Sequence, residues 1–243
     1  MTTTRTGAIL LAGGRSTRMS GTDKTVAKLA GRPVLAHSLR AFAACDAIES
    51  IVLVAGPQNQ RLLAQLAAQH GAGKVTAITP GGERRRDSVA AGLAGLSNVQ
   101  IVVVHDTARP LVSDAMIRRG IELAIAHGAA IVAGPVTDTI KQVRANADTT
   151  SPETNDTALI ERTIDRAALR AAQTPQTFRL NLLQRAHAAT DADATDDAAL
   201  VEALGEPVYC YDAGTPNPKI TRPQDLPIVE ALLRARPPAP VRS

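Results

Sequence analysis

Ala8-Ile9-Leu10-Leu11-Ala12-Gly13-Gly14-Arg15 decides the fold: five apolar residues without interruption, then a double-glycine turn. A strand with one wet face alternates apolar and polar residues, whereas a parallel strand covered on both faces is apolar throughout. The run at 8–12 predicts a covered strand, and the same pattern returns at 51–54, 75–78, 101–104 and 129–133. Amphipathic stretches at 33–44, 58–70, 87–96 and 113–127 predict helices between them. Pro33 suits a first helical turn, and Asp87 and Ser113 suit N-caps. Alternation at this spacing predicts an α/β fold built on a doubly wound, mostly parallel sheet.

The rhythm breaks at 136–164. Two β-prone arms, 137–143 and 157–163, flank a polar, turn-rich bridge at 144–156. They predict a hairpin projecting from the sheet, with a plain surface loop as the competing reading. A two-stranded ribbon is marginal alone, so the arm is expected to pack on a second subunit. Further helices are expected at 180–189, 195–204 and 223–235, with a strand at 208–211. The reading is one domain over 1–235, with 137–163 as a β-arm and 236–243 as a Pro-rich disordered tail.

Composition excludes several classes. Hydrophobic residues make up 44% and charged residues 21%, the balance of a folded globule and not of a disordered chain. No apolar run approaches the roughly 20 residues that span a bilayer, so no membrane association is expected. The start of the chain lacks a signal-peptide core, and Cys45 and Cys210 form neither a disulfide framework nor a zinc spacing. A cytoplasmic location is the expectation. The net charge is +4, from 27 Lys and Arg against 23 Asp and Glu, but only Phe42, Phe178, Tyr209 and Tyr211 are aromatic. With so few stacking platforms and no long basic stripe, nucleic acid is not an expected partner. Anionic small molecules suit the same charge.

Several motifs stand at element ends. The turn after the first strand, Ala12-Gly13-Gly14, lets backbone N–H groups approach a phosphate, and Arg18 and Lys24 follow in the same loop. Two cations beside such a cradle suit a triphosphate; the competing reading is a tight turn with solvated cations. Neither G-x-x-x-x-G-K-[ST] nor G-x-G-x-x-G is present. A second turn, Gly81-Gly82-Glu83, leads through Arg84-Arg85-Arg86-Asp87-Ser88 into a helix; the arginine triplet reads equally as a ligand grip or a solvated face. Third comes His105-Asp106-Thr107-Ala108-Arg109-Pro110, after a buried strand. Asp106 is well placed to hold Mg²⁺ and Arg109 to grip a phosphate. His105 reads as a packing histidine.

L-L-A-G-G-R-S-T-R-M, G-G-E-R-R-R-D-S-V, V-H-D-T-A-R-P, D-T-I-K, T-I-D-R, Q-T-P-Q-T-F, T-D-D-A-A-L-V-E and N-P-K-I-T-R-P-Q-D-L follow one another in this order, in a pattern that runs from about Ala8 to Leu233. This series resembles the 2-C-methyl-D-erythritol 4-phosphate cytidylyltransferases. The resemblance implies a Rossmann-like nucleotidyltransferase that joins CTP to a polyol phosphate in isoprenoid precursor synthesis. It implies that Ala12, Gly13 and Gly14 hold the triphosphate, and that Arg18, Lys24 and Lys219 are catalytic. Gly82, Glu83 and Ser88 would read the cytidine, with Thr107 beside the ribose. Asp106 would carry Mg²⁺, and Arg109, Thr139, Arg166 and Thr195 would contact the acceptor. The arm would lock a homodimer and lend residues to the neighbouring site. A ribitol 5-phosphate cytidylyltransferase, or another sugar or polyol phosphate nucleotidyltransferase, is the alternative.

The chain departs from the family pattern in places. Gly13 and Ser16 replace an Ala and a Gly of the first loop, Asp23-Lys24-Thr25 replaces Pro-Lys-Gln, and Thr107 replaces an Ala. The loop carrying Lys24 is about one residue short, so Lys28 is the other lysine in range. Removing one charge-stabilising contact commonly costs on the order of 10²–10³ in rate. Lys24→Ala should therefore cut pyrophosphate release about that much with its circular dichroism unchanged; near-normal turnover would move the role to Lys28.

Overall fold

The computed structural model describes residues 4–13, 27–144 and 157–236. In chain order the elements are β1 (Thr6–Ala12), β2 (Lys28–Leu29), β3 (Arg32–Pro33), α1 (Val34–Ala44), β4 (Ser50–Ala55), α2 (Gln60–His70) and β5 (Val75–Pro80). Next come α3 (Arg85–Ala94), β6 (Ile101–Asp106), α4 (Asp114–His127), β7 (Ala129–Pro135), β8 (Ile140–Val143) and β9 (Ile160–Ile164). Last are β10 (Arg170–Arg179), α5 (Leu180–Ala189), α6 (Asp197–Ala203), β11 (Tyr209–Tyr211) and α7 (Asp225–Arg234).

Seven strands form the main sheet in the order β11-β7-β10-β6-β1-β4-β5. β1 pairs in parallel with β4 on one side and β6 on the other. Its alternate residues reach opposite layers: Ala8, Leu10 and Ala12 pack with α1, α2 and α4, while Ile9 packs with α3 and α5. Burial on both faces is why the strand needs no polar alternation. The chain leaves β1 toward β4 and β5, then returns to place β6 on the other side. The reversal puts a switch point between β1 and β6, where open α/β sheets bind ligands at the strands' carboxyl ends. Gly13 follows one of those ends and Asp106 closes the other.

Strand β10 was not expected. It is antiparallel to both neighbours, β6 and β7, and its pairing with β7 shifts register between Ala172 and Gln176. The Thr174–Pro175 peptide there is cis. A proline inside a run argues against a central strand because it cannot donate to the ladder. Here Pro175 falls in the register break, so the missing donor disturbs no pairing.

Several helix starts shift by a residue or two from expectation, and two of the shifts change the capping residue. Asp87 is not an N-cap. Arg84 occupies that position, and the Asp87 carboxylate, three residues on, accepts the Arg84 backbone N–H at 3.1 Å. The helix expected from Thr195 begins at Asp197 and is capped by Asp196, whose Oδ1 accepts from the Ala199 N–H at 3.0 Å. Ser113 caps α4 as expected, accepting from the Met116 N–H at 3.3 Å.

The arm forms as a separate antiparallel pair, with Ile140 opposite Ile164 and Lys141 opposite Thr163. Lys141 lies on β8 and donates to the Thr163 hydroxyl at 2.7 Å. Val143, Leu159 and Ile160 are exposed. Most of the bridge at 144–156 and all of the tail beyond Arg236 lie outside the described residues.

Phe178 fixes β10 in place. It is fully buried and packs among Ile9, Val104 and Leu183. Phe178→Ala should cost about 3–5 kcal/mol, a large part of a domain's stability, read as a lower urea midpoint with an unchanged slope.

Candidate active site

The carboxyl ends of β1, β4 and β6, with the middle of the antiparallel β10, open onto two adjoining clefts. The wider, about 580 Å³, runs from Gly13 and Gly56-Pro57 to Gly82, Glu83 and Ser88. The narrower, about 250 Å³, is bounded by Arg109, Gln173, Thr174, Gln176, Thr195 and Asp196. Arg85, Asp106 and Lys219 line both.

Close backbone approach shapes the wider cleft. A Cβ at Gly13 would stand 3.0 Å from the Ala55 carbonyl oxygen and 3.2 Å from the Gly56 nitrogen, so glycine lets the two backbones come this close without displacement. Asn59 braces the same corner: its amide donates to the Ala12 carbonyl at 2.9 Å and its Oδ1 accepts the Gly56 N–H at 2.9 Å. Across the cleft the Gly82 N–H donates to Ser88 Oγ at 3.1 Å, and a Cβ at Gly82 would collide with Asp87 Cβ at 2.3 Å. Sequence reasoning missed the Gly56-Pro57 side. The available signal was a glycine-proline pair at the end of a predicted strand.

Asp106 organises the wall between the clefts. Lys219 Nζ lies 2.5 Å from its Oδ2, and Arg85 Nε lies 3.7 Å from its Oδ1. Burial alone would push this carboxyl up; the charges of Lys219 and Arg85 instead hold it well below the usual carboxylate range. Arg85 goes on to donate from NH1 to Asp197 Oδ2 at 2.7 Å. Burial pulls its guanidinium down, but Asp197 and Asp106 keep it above its ordinary value.

The arginine triplet is thus not a solvated face. Arg84 pairs with Asp87 and Asp191, Arg85 with Asp106 and Asp197, and Arg86 donates to the carbonyls of His187 and Ala192. Together they fasten the start of α3 to the segment that carries α6. Arg85 had only the position after a glycine turn to mark it.

A closed ring of hydrogen bonds backs the wall. Thr174 Oγ1 accepts the Asp106 N–H at 3.1 Å and stands 3.1 Å from His105 Nδ1. His105 Nε2 faces the Arg109 carbonyl at 3.2 Å. A carbonyl only accepts, so Nε2 carries the proton and Nδ1 accepts from the threonine hydroxyl. Burial holds this imidazole down to about 3, so it is neutral. Arg109 NH1 then donates to the Asn217 carbonyl at 2.8 Å, and Asn217 Nδ2 returns to the Thr174 carbonyl at 2.8 Å. Asp106, Arg109 and the loop bearing Lys219 are thereby set relative to one another.

The expected site residues divide into four groups. Gly13, Gly82, Glu83, Ser88, Asp106, Arg109, Thr195 and Lys219 line one cleft or both, and Ala12 sits buried beneath the first turn. Thr107 is fully buried and its hydroxyl donates to the Leu11 carbonyl at 2.8 Å, so it ties β6 to β1. Thr139 and Arg166 are exposed at the base of the arm, where Arg166 donates to the Thr137 carbonyl, and neither lines these clefts. Gly14, Arg18 and Lys24 lie outside the described residues.

Residues 6–235 match the 2-C-methyl-D-erythritol 4-phosphate cytidylyltransferase family as a whole. Relatives of that description from Dehalococcoides mccartyi and Geobacillus kaustophilus are each 41% identical to this chain. The matches cover 95% of this chain and 96% of the first relative, and 94% and 97% for the second. The crystal structure of the Thermus thermophilus protein of that description is 32% identical, with a TM-score of 0.74 over 95% of this chain and all of the other. A 4-diphosphocytidyl-2C-methyl-D-erythritol synthase structure from Anaerococcus prevotii shares the fold at TM-score 0.80 and 24% identity, over 95% and 96% of the two chains.

Thr174→Val keeps the shape but removes the hydroxyl that joins Asp106 and His105. Leaving the buried Asp106 N–H and His105 Nδ1 without partners should cost about 1–3 kcal/mol, read as a lower thermal midpoint.

Proposed function

The chain belongs to the 2-C-methyl-D-erythritol 4-phosphate cytidylyltransferase family, and we propose that the two adjoining clefts are where it works. It transfers the cytidylyl group of CTP to 2-C-methyl-D-erythritol 4-phosphate, giving 4-diphosphocytidyl-2-C-methyl-D-erythritol and pyrophosphate. In this reading the wider cleft takes CTP and the narrower one takes the acceptor phosphate. The observation that carries it is the shared wall: one carboxylate and two cations face both clefts.

The acceptor is a phosphomonoester whose second pKa is about 6, so at neutral pH it is already mostly a dianion. It needs no general base, and the neutral His105, closed in its hydrogen-bonded ring, supplies none. What the site must do is bring anions together and stabilise charge at the α-phosphorus. The glycine turns at Gly13 and Gly82 make room for the nucleotide against the backbone, with Glu83 and Ser88 at the base. Arg109 grips the acceptor, with Thr195 beside it. Lys219, poised on Asp106 at the partition, brings positive charge to the transfer, and Arg18 and Lys24 bring more from the first loop.

Asp106 fits a magnesium site of a particular kind. Among the described residues no group of three acidic, His or Cys side chains could cage a metal. Mg²⁺ is commonly bound by one or two carboxylates, with substrate phosphates and water completing the shell. Asp106 would hold the cation there, and the cation would supply positive charge to the substrate phosphates.

We also read the arm as a dimer contact. Its exposed Val143, Leu159 and Ile160 need cover, and Thr139 and Arg166 at its base stand ready to serve a neighbouring site. No helix among the described residues is long and apolar enough to cross a membrane, and we place the enzyme in the cytoplasm.

Pyrophosphate release from CTP and Mg²⁺ with a panel of acceptors tests the assignment. Turnover is expected with methylerythritol phosphate; turnover with ribitol 5-phosphate alone would overturn the acceptor.

A further inference from the structure

Three charged side chains form the partition between the clefts, and the proposed reaction uses only two of them. Asp106 and Lys219 have roles; Arg85 has none. Its surroundings are built with care. NH1 is clamped at 2.7 Å on Asp197, a carboxylate with no exposure to solvent. Asp197 is fixed in turn: His187 Nε2 stands 3.3 Å from its other oxygen, and Gln176 Oε1 accepts its backbone N–H at 3.1 Å. Gln176 also donates to Asp196, the cap of α6, at 2.7 Å. From that anchor Arg85 extends Nε to within 3.7 Å of Asp106.

We infer that Arg85 is a positioning residue for the transfer, holding the Asp106 carboxylate at the partition from an anchor on the acceptor side. The inference rests on the reading of the clefts given above. The first residue of α3, on the nucleotide side, is thereby tied to the first residue of α6, beside the acceptor pocket. Relative movement of the two helix starts would break that tie. The job calls for arginine. A planar fork can engage two carboxylates at once, while an ammonium on a flexible stem is a point charge that sits on one. Arg85 also shares the load on Asp106. Without it Lys219 becomes the sole cation within ion-pair distance of that carboxylate among the described residues, and is held there instead of turning to the phosphates. The loss should fall on turnover and not on binding.

Arg85→Gln, Arg85→Lys and Asp197→Asn, each checked for folding by circular dichroism and thermal melting, test this in steady-state assays with CTP and methylerythritol phosphate. Removing a group that orients a site residue typically costs 10–100-fold in activity. Arg85→Gln should lower kcat by about that factor with both KM values within about threefold. Arg85→Lys should not restore it. Asp197→Asn should lower kcat in the same way, and adding it to Arg85→Gln should bring little further loss. Wild-type kcat in folded Arg85→Gln, or a loss confined to the melting temperature, would overturn the inference. So would rescue by lysine, or a large rise in KM for the acceptor with kcat kept, which would make Arg85 a direct substrate contact. If Asp197→Asn does not fold, the glutamine and lysine variants decide the matter alone. Absence of turnover in the wild-type enzyme would instead defeat the assignment of the clefts.

Discussion

Asp106 is the constraint on which the site turns. A carboxylate withdrawn from water is costly unless positive charge meets it. Here it is met from two directions, by Lys219 from the loop before α7 and by Arg85 from the start of α3. Each partner then fixes something else. Arg85 draws in Asp197 and α6, while Asn217, two residues before Lys219, joins the ring through Thr174 and Arg109. Four distant stretches of chain meet because one buried negative charge has to be satisfied, and the satisfied charge stands where two anionic substrates would meet.

The arrangement also explains how a chain so poor in aromatics can hold a nucleotide. Little stacking is on offer. Binding falls to glycine turns that let a ligand lie close against the backbone and to cations held in position by carboxylates. The arginine-heavy basic set suits this, since most of the arginines near the clefts are engaged by more than one acceptor. Arg84, Arg85 and Arg86 each contact two, which a lysine could do less well.

Much of the fold was legible in the sequence because burial on both faces leaves a plain signature. Residues 8–12, 51–54, 101–104 and 129–133 all lie in strands of the main sheet, and the bounds of the helices moved by only a residue or two. β10 was illegible because its polar and proline residues obey tertiary demands. Thr174 and Gln176 face hydrogen-bond partners far away in sequence, and Pro175 occupies a break in the ladder. In the site, glycine turns and strand-end acids could be read from position. Arg85 could not, because its meaning depends on Asp197, which lies 112 residues further on. Nor could the commitment of Thr107 to Leu11, which only the pairing of β6 with β1 reveals.

The place of β10 has a bearing on how the molecule is made. β6 and β7 are joined by α4, yet they are never neighbours, since β10 lies between them. On a ribosome, β6 and β7 emerge first and the arm after them, and the strand that fills the slot comes later still. Until residue 179 is out, the facing edges of β6 and β7 have no native partner, and unpaired edges invite wrong pairing. The middle of the sheet is therefore filled after β6 and β7 exist, and the edge strand β11 follows it. The same late strand brings Thr174 and Gln176, so the acceptor half of the cleft is assembled only when the slot closes.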